Sequence, residues 1–363
     1  MTVKFNTETP IHNNLWYSGF VMLALAGFLL TLSAYMLMAL LPLHIGARMA
    51  SSAVICQEQL LCAVTYALGL FAFGPFCNWL TQRYRRGLVC VRAIEGYTLC
   101  VAASWLVLKN PQWAIPLVIE VLRFFTAACY GLAAIVLFGT LIVDKTESVY
   151  RTRANHSAAW LARLGIALGP LTAIVLFRHT SAADVCLWAA LAGFASAVLV
   201  RLVRFPFKTP EDDVHHMSFD RFMLGGEWHL FLFTALSFAC YGYVLTMVSS
   251  VAFFALVMVG FLWALLTERF MGTLNHGWTD LFVAFFFILS AMSVFCSPSG
   301  MLPGYFTPCL LGGGVGMVGA RSQLMLITRS DHCRRGTAIS TFFLASEWGV
   351  AVGMLIGIAI KWA

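Results

Sequence analysis

The sequence predicts an all-α integral membrane protein that crosses the bilayer many times, and two observations lead to this. First, its 363 residues are 60% hydrophobic and only 11% charged, with a mean hydropathy of +0.83. Soluble domains carry about 25% charged residues, so this chain has too few to cover a water-facing surface. Second, long apolar runs alternate with short polar segments along the whole chain. This pattern indicates a bundle of transmembrane helices.

A helix needs about 20 apolar residues to span the hydrocarbon core, and eleven runs in this chain reach that length. They lie near 15–43, 54–80, 87–108, 113–143, 155–177, 183–203, 228–247, 250–267, 278–297, 301–328 and 337–360. Residues 228–268 form one apolar block, which must turn once. The turn is predicted at residues 247–250, the polar break in that block.

The basic residues indicate how the spans are oriented, because cytoplasmic loops carry an excess of Lys and Arg. With a cytoplasmic N-terminus and eleven alternating spans, fifteen of the 23 basic residues lie on the cytoplasmic side and four on the opposite side. The other four, Arg92, Arg123, Arg163 and Arg321, lie inside spans. A wrong span count would scramble this bias, so the bias supports eleven spans.

The long polar stretch at 204–227 separates the sixth and seventh spans and contains Pro206 and Pro210. Proline interrupts helices, so this stretch is predicted to be a cytoplasmic linker. It divides the chain into an N-terminal six-helix bundle, 1–203, and an incomplete C-terminal five-helix bundle, 228–363. The pair His215 and His216 has no further ligand at a useful spacing, and a solvated loop is the preferred interpretation. No metal and no cofactor is expected.

Two pairs of segments indicate an internal repeat. Residues 74–84 (GPFCNWLTQRY) align with 260–270 (GFLWALLTERF) at an offset of 186, and 163–169 (RLGIALG) align with 347–353 (EWGVAVG) at an offset of 184. In both cases the partners are six spans apart. The sequence therefore predicts two parallel repeats related by a pseudo-twofold axis.

The same offset predicts that a twelfth helix is missing. A counterpart of the sixth span would fall near 368–388, beyond Ala363. A truncation, a frameshifted gene and a natural eleven-helix variant would all give this pattern, and the sequence leaves the three open.

The segment after the second span resembles the loop motif of the major facilitator superfamily, where a glycine is followed four residues later by an acid and then by basic residues. Here Gly74 begins the motif, and Asn78 stands where the acid is expected. The basic group Arg83, Arg85 and Arg86 is displaced. The acid of the usual charge-relay gate is thus replaced in this chain.

Further motifs follow in the order of that family. The segment 123–131 (RFFTAACYG) is similar to its arginine-containing motif in the fourth helix. Gly165, Gly169 and Pro170 match the Gly-x-x-x-Gly-Pro motif of the fifth helix, which is common in exporters. Small residues four apart allow close helix packing in lipid. The run 331–341 (DHCRRGTAIST) resembles bacterial members, particularly those of Bacteroidetes.

This resemblance covers essentially the whole chain and implies the major facilitator-type two-bundle fold with 6+5 transmembrane helices. It implies a secondary active transporter and no enzyme activity. Such a protein moves a small-molecule solute across the bacterial inner membrane by alternating access, and the fifth-span motif leans toward export. The expected partners are the solute, protons and the lipid bilayer, with no nucleic acid, and the expected form is a monomer.

Charged side chains inside spans are the candidate functional residues, because burying one costs about 2.5–3.5 kcal/mol on insertion scales. The third span carries Arg92 and Glu95, and the fourth carries Glu120 and Arg123. The members of each pair are three residues apart on one helix face, where they can neutralise each other. Arg321 lies near the end of the tenth span and can extend to the interface.

Arg163 and Glu347 occupy equivalent positions of the repeat with opposite charges. In the major facilitator superfamily the fourth, fifth and eleventh helices line the cavity, while the third packs outside. The resemblance therefore implies that Glu120, Arg123, Arg163 and Glu347 face the substrate and proton pathway, and that Arg92 and Glu95 form a structural pair. Either Glu347 or Glu120 would carry the proton, and the two arginines would hold an anionic group or regulate that acid. A self-satisfied Glu120–Arg123 packing pair is the competing interpretation.

Other protein classes fit less well. Intramembrane proteases need a Gly-x-Ser-Gly turn or paired aspartates, and zinc enzymes need a cluster such as His-Glu-x-x-His; the spans contain neither. The stretch Gly312 to Gly316 superficially resembles a phosphate loop, but it lies in an apolar run, where helix packing explains it. No ring of repeated polar residues indicates a channel filter. A non-transporting sensor or a degenerate, truncated transporter stays open as the alternative.

Overall fold

The computed structural model describes residues 14–48, 52–113, 115–147, 150–205, 215–218, 222–271, 277–296, 304–331 and 334–362. Within these ranges it contains eleven helices that are long and apolar enough to cross a membrane. The prediction of eleven spans is confirmed, and the protein is a multi-pass membrane protein.

The N-terminal bundle contains α1 (Ser18–Arg48), α2 (Ser52–Ala72), α3 (Arg86–Lys109), α4 (Pro116–Val136), α5 (Arg151–His179) and α6 (Ala182–Leu202). The C-terminal bundle contains α7 (Trp228–Met247), α8 (Val251–Met271), α9 (Gly277–Phe295), α10 (Phe306–Arg329) and α11 (Arg335–Trp362). The predicted turn at 247–250 is confirmed, because α7 ends at Met247 and α8 begins at Val251.

The second and fourth predicted spans each consist of a long α-helix followed by a shorter helical segment. After α2, the chain turns at Gly74 and Pro75 and continues in a short helix, Cys77–Arg83. Proline lacks the N–H that would continue the hydrogen-bond ladder, which explains a break at this point. The chain after α4 passes without a break through a π-helical turn, Leu137–Leu141, into a short helix, Ile142–Lys145.

The helices alternate in direction, so the starts of the odd-numbered helices share one face with the ends of the even-numbered ones. This face is called the basic face here, and it is the one predicted to be cytoplasmic. The Tyr17 hydroxyl donates to the carbonyl of Lys145 at 2.5 Å, and the Lys145 ammonium donates to the carbonyl of Arg204 at 3.1 Å. These bonds join the start of α1 to the end of the fourth span and to the chain after α6.

The glycines of the sequence repeat pack equivalent helices together. Gly165 and Gly169 place α5 directly on α1, and a Cβ added to Gly169 would lie 2.5 Å from an α1 atom. Gly349 and Gly353 place α11 on α7, and a Cβ on Gly353 would lie 1.9 Å from an α7 carbonyl oxygen. Close backbone approach through small residues is how helices associate in lipid. The repeat predicted from the sequence is thus present in the packing.

The glycine-rich start of α10 also serves packing, as predicted. A Cβ on Gly312 would lie 2.1 Å from the carbonyl oxygen of Val257 in α8, and one on Gly314 would lie 2.8 Å from that of Ala284 in α9. These contacts place α10 tightly between α8 and α9.

The two bundles differ at their outer faces. In the N-terminal bundle α6 packs on both α1 and α3. The corresponding helices of the C-terminal bundle, α7 and α9, carry exposed apolar side chains such as Leu236 and Phe286. Much of the predicted linker, 206–214 and 219–221, lies outside the described residues. The division into 1–203, 204–227 and 228–363 therefore stays a prediction.

Candidate substrate and proton pathway

Glu347 lies in the middle of α11, is 2% exposed, and is bound by three helices of the opposite bundle. Its Oε1 accepts hydrogen bonds from the hydroxyls of Tyr35 in α1 and Tyr130 in α4, each at 3.2 Å. Its Oε2 accepts from the hydroxyl of Tyr66 in α2 at 3.1 Å. These three residues are called the tyrosine cluster below. One acid of the C-terminal bundle therefore ties α11 to three N-terminal helices.

The N-terminal bundle holds the tyrosine cluster in place from behind. The guanidinium of Arg123 lies over the ring of Tyr66, 4.7 Å from its centroid. The ring of Tyr97 is 6.1 Å from that of Tyr130, and its hydroxyl is 2.7 Å from the Ser33 hydroxyl. Sequence reasoning missed these tyrosines. Their signal was available, because a phenol hydroxyl buried in an apolar span needs a hydrogen-bond partner.

Glu120 and Arg123 are both buried but do not form the ion pair that their spacing allowed. Glu120 accepts a hydrogen bond from the Thr65 hydroxyl of α2 at 2.5 Å. Arg123 stacks on Tyr66 instead, and no ion pair within 4 Å joins the two described side chains. The described residues therefore do not show the direct Glu120–Arg123 ion pair of the competing interpretation. The contact of Glu120 with Thr65 and that of Arg123 with Tyr66 both lie within the N-terminal bundle.

Arg163, 2% exposed in α5, is the counterpart of Glu347 at the other contact between the bundles. Its Nη1 donates to the Gln323 side-chain oxygen at 2.8 Å and to the Gly319 carbonyl at 3.2 Å, both in α10. Its guanidinium lies 4.6 Å from the centroid of the Trp160 ring. Gly319 allows this close approach, because a Cβ there would lie 2.9 Å from the Arg163 Cδ.

The same contact contains a second acid, Glu268 of α8, that sequence reasoning did not select. The Oε1 of Glu268 lies 3.1 Å from the Nε2 of His156, and its Oε2 accepts a hydrogen bond from the indole of Trp160. It aligns with Gln82 in the repeat, so the repeat itself marked a position at which only the second half is charged. These bonds join α5 to α8 on the basic-face side of Arg163.

Arg163 and Glu347 line one cavity of about 50 Å³ between the bundles. Its other polar lining comes from Thr31, Tyr130, Gln323 and Ser346, and its apolar lining includes Phe342 and Phe343. Glu120 does not line it, and Arg123 lines a separate space of about 20 Å³ inside the N-terminal bundle. The structure thus brings two of the four predicted pathway residues to a shared central cavity.

The residues of the loop motif lie at the basic face. The ring of Phe222 packs against Gly74, and the side-chain oxygen of Asn78 is buried without a hydrogen-bond partner among the described residues. Arg86 forms an ion pair of 2.6 Å with Asp144 at the end of the fourth span. An acid is therefore present on this face, but it comes from another helix than the motif predicts.

The other members of the motifs have defined places. Arg83 ends the short helix Cys77–Arg83, and Arg85 precedes α3 and lines a groove of about 570 Å³ at the basic face. Pro170 is buried inside α5, directly after the Gly165 and Gly169 contact with α1.

The other charges inside spans form ion pairs away from the central cavity. Arg92 pairs with Glu95 at 2.8 Å, as predicted, and Arg201 of α6 approaches the same acid at 3.5 Å. Arg321 forms an ion pair of 3.2 Å with Asp280 of α9. This side chain therefore contacts a neighbouring helix, whereas the sequence suggested that it extends to the membrane interface. The described residues contain no group of His, Cys, Asp and Glu that could hold a metal.

Comparison with solved structures identifies the fold. The structure superposes on the human organic anion transporter TETRAN with a TM-score of 0.70 at 13% identity, covering 95% of this chain and 93% of that one. An auto-inhibited peptide transporter of the POT family superposes with a TM-score of 0.66 at 12% identity, covering 94% of this chain and 89% of that one. The nucleoside transporter NupG superposes with a TM-score of 0.63 at 12% identity, covering 95% of this chain and 91% of that one. No protein-family model and no curated protein matches the sequence.

Identities this low support the fold alone. The chain has the major facilitator-type two-bundle fold with 6+5 transmembrane helices and a pseudo-twofold repeat, as the motifs predicted.

Proposed function

We propose that this chain is a secondary active transporter that moves a small solute across the bacterial inner membrane by alternating access. The observation that carries the proposal is the Glu347 contact, in which one acid joins α11 to three helices of the other bundle. In transporters built from two repeats, the bundles rock around a central site. Rocking at this contact must break all three hydrogen bonds, so the state of Glu347 controls the movement.

Proton binding at Glu347 would couple this movement to a proton gradient. A hydrogen bond to a charged group contributes about 1.5–3 kcal/mol and a neutral one about 0.5–1.5 kcal/mol. The O···O distances of 3.1–3.2 Å exceed the about 2.5–2.7 Å of a strong O–H···O⁻ bond, so the lower values apply. Protonation of Glu347 would still lower the cost of separating the bundles, because it weakens three bonds together.

The four pathway residues then have distinct roles. Glu347 carries the proton, and Glu120 is the second choice, because its hydrogen bond with Thr65 lies within one bundle. Arg123 positions Tyr66. Arg163 faces the central cavity from the other side, where it would respond to whatever enters between the bundles.

The loop motif would form the gate at the basic face. Gly74 precedes the short helix Cys77–Arg83, Asn78 lies in the first turn of that helix, and Arg86 is fixed by Asp144. Gly165, Gly169 and Pro170 would let α5 slide and bend against α1. The N-terminus would lie in the cytoplasm, the protein would act as a monomer, and the direction of transport leans toward export.

Proteoliposomes that contain a pH-sensitive dye test this proposal. Purified protein is reconstituted, and sugars, organic anions, amphipathic drugs and peptides are added in turn. We expect at least one class to change the internal pH with wild-type protein. In Glu347→Gln we expect solute exchange to continue while the proton movement is lost, because the amide cannot bind and release a proton.

Glu95→Gln is the matched control, since it makes the same acid-to-amide change on α3, in an acid paired with Arg92 and Arg201. It should keep the coupling of the wild type. Unchanged pH dependence of flux in Glu347→Gln would contradict the assignment of the proton to this residue.

A non-transporting sensor, or a transporter that has degenerated, is the second candidate. Asn78 supports it, because the motif position that usually holds an acid has an amide whose oxygen finds no partner among the described residues. A sensor would bind a solute, seen as a rise in melting temperature, without moving it in proteoliposomes. Flux of any solute class excludes this candidate.

A further inference from the structure

The guanidinium of Arg163 has only one of its three nitrogens engaged by the described residues. Nη1 binds Gln323 and Gly319, while Nε and Nη2 are buried and have no hydrogen-bond partner among the described residues. Nε–H and Nη2–H point to the same side of a guanidinium and form the two parallel donors that bind an oxyanion bidentately. The unused side of Arg163 is therefore a preformed fork.

The charge of Arg163 also lacks a direct counter-ion. Burying a cation is costly unless an anion and further hydrogen bonds compensate for the lost water. No ion pair within 4 Å involves Arg163 among the described residues, and the nearby Glu268 is already bound by His156 and Trp160. Glu347 lines the same cavity, but its two oxygens accept from the tyrosine cluster.

The position of this fork matters as much as its chemistry. Arg163 lies on α5 and binds α10, so it spans the contact between the bundles. An alternating-access movement can expose a group at such a contact first to one side of the membrane and then to the other. Arg123 does not meet this condition, since it is stacked on Tyr66 within the N-terminal bundle.

We propose that Arg163 is the solute-binding residue, and that the solute carries a carboxylate or phosphate group bound by its Nε and Nη2. This inference rests on the proposed transport function and names the class of its solute, an organic anion. The aromatic rings of Phe342 and Phe343, which line the cavity, would contact an apolar body attached to that group. The cavity of about 50 Å³ must widen to admit it as the bundles part.

Ligand-induced stabilisation of the purified full-length protein tests this without knowledge of the natural solute. The probes are benzoate and phenyl phosphate, with benzamide and benzylamine as the neutral and cationic matches of the same ring. We expect a saturable rise in melting temperature with at least one anion and none with the amide or the amine. Benzoate and phenyl phosphate together decide which oxyanion is preferred.

Variants then locate the effect. Arg163→Gln should weaken the apparent affinity for the anion at least tenfold. Arg163→Lys should fall between, because an ammonium keeps the charge but loses the two parallel donors. Arg92→Gln is the matched control, since that side chain is 69% exposed and paired with Glu95; its affinity should equal that of the wild type.

Gly319→Ala provides a variant that keeps every charge. The new Cβ would lie 2.9 Å from the Arg163 Cδ, so the guanidinium must shift, and anion affinity should fall while the protein stays monodisperse. This keeps the inference testable if the Arg163 variants fail to fold.

Several results would overturn the inference. These are equal binding of benzamide and benzoate, absence of binding by both anions to the wild type, and unchanged affinity in Arg163→Gln. Proton-coupled flux of a neutral solute that does not need Arg163 would refute the anion class and leave the transport function intact. Anion binding through Arg163 without flux would do the reverse, because it supports the site and contradicts transport.

Discussion

The two bundles meet through two helices that the repeat makes equivalent, α11 on one side and α5 on the other. Each carries a buried charge in its middle, Glu347 and Arg163, and each charge contacts the opposite bundle. The carboxylate is matched by three hydroxyl donors, whereas the guanidinium uses one nitrogen and leaves two unpartnered among the described residues. The Glu347 contact is therefore complete within the protein, whereas the Arg163 contact leaves two donors that a further group could bind.

The largest difference is expected in the free energy of unfolding when the charge of Glu347 or that of Arg163 is removed. Glu347→Leu should lower the free energy of unfolding by about 3 kcal/mol or more, because each of three buried hydroxyls left without an acceptor costs about 1–3 kcal/mol. Arg163→Leu should change it by no more than about 1 kcal/mol, since removing a buried cation without an ion pair offsets the lost hydrogen bonds. Denaturant unfolding in detergent measures both. Equal losses would show that the two contacts do not differ as the structure indicates.

The next largest effect is expected from overpacking the two equivalent helix contacts, that of α11 with α7 and that of α5 with α1. Gly353→Ala and Gly169→Ala should each destabilise the protein by about 1–3 kcal/mol through overpacking. The Gly353 variant should lose more, because its Cβ would lie 1.9 Å from an α7 carbonyl against 2.5 Å from an α1 side chain for Gly169. Gly225→Ala is the control, since nothing lies within 4 Å of a Cβ there. The reverse order in melting temperature would contradict the packing comparison.

A smaller effect is expected when the three hydrogen bonds to Glu347 are removed one at a time. Tyr35→Phe, Tyr66→Phe and Tyr130→Phe should each cost about 0.5–1.5 kcal/mol. In a double-mutant cycle, each loss should shrink when Glu347 is already Leu, because Leu offers the tyrosine hydroxyl no acceptor. Tyr97→Phe, whose hydroxyl contacts Ser33, should lose the same amount in both backgrounds. Additive losses for the cluster would remove the basis for its role in locking the bundles.

The smallest effect is expected far from both contacts. Arg92→Gln breaks an ion pair whose arginine is 69% exposed, and exposed pairs contribute about 0–1 kcal/mol. Its melting temperature and its flux should match those of the wild type. A large loss of transport in this variant would mean that α3 belongs to the pathway, which the cavity lining does not indicate.

Sequence patterns anticipated the fold better than the site for a physical reason. Helix number follows from hydrocarbon thickness, and the repeat follows from small residues at fixed spacing, both of which are local properties. The pairing of Glu120 with Arg123 failed because a spacing of three permits contact but does not decide between Arg123 and Thr65 as partners. Glu268 was overlooked because an acid near the end of a span resembles any interfacial residue until its partners His156 and Trp160 are seen.

The sequence by itself determined that this chain is a polytopic, two-bundle membrane protein with opposite charges at equivalent depths of two helices. Composition and periodicity suffice for this, because the bilayer acts on every span in the same way. Tertiary structure alone decided which partner each charge has. Those partners come from helices up to 312 positions away in the chain, so three tyrosines satisfy Glu347, while Arg163 keeps two donors unpartnered among the described residues.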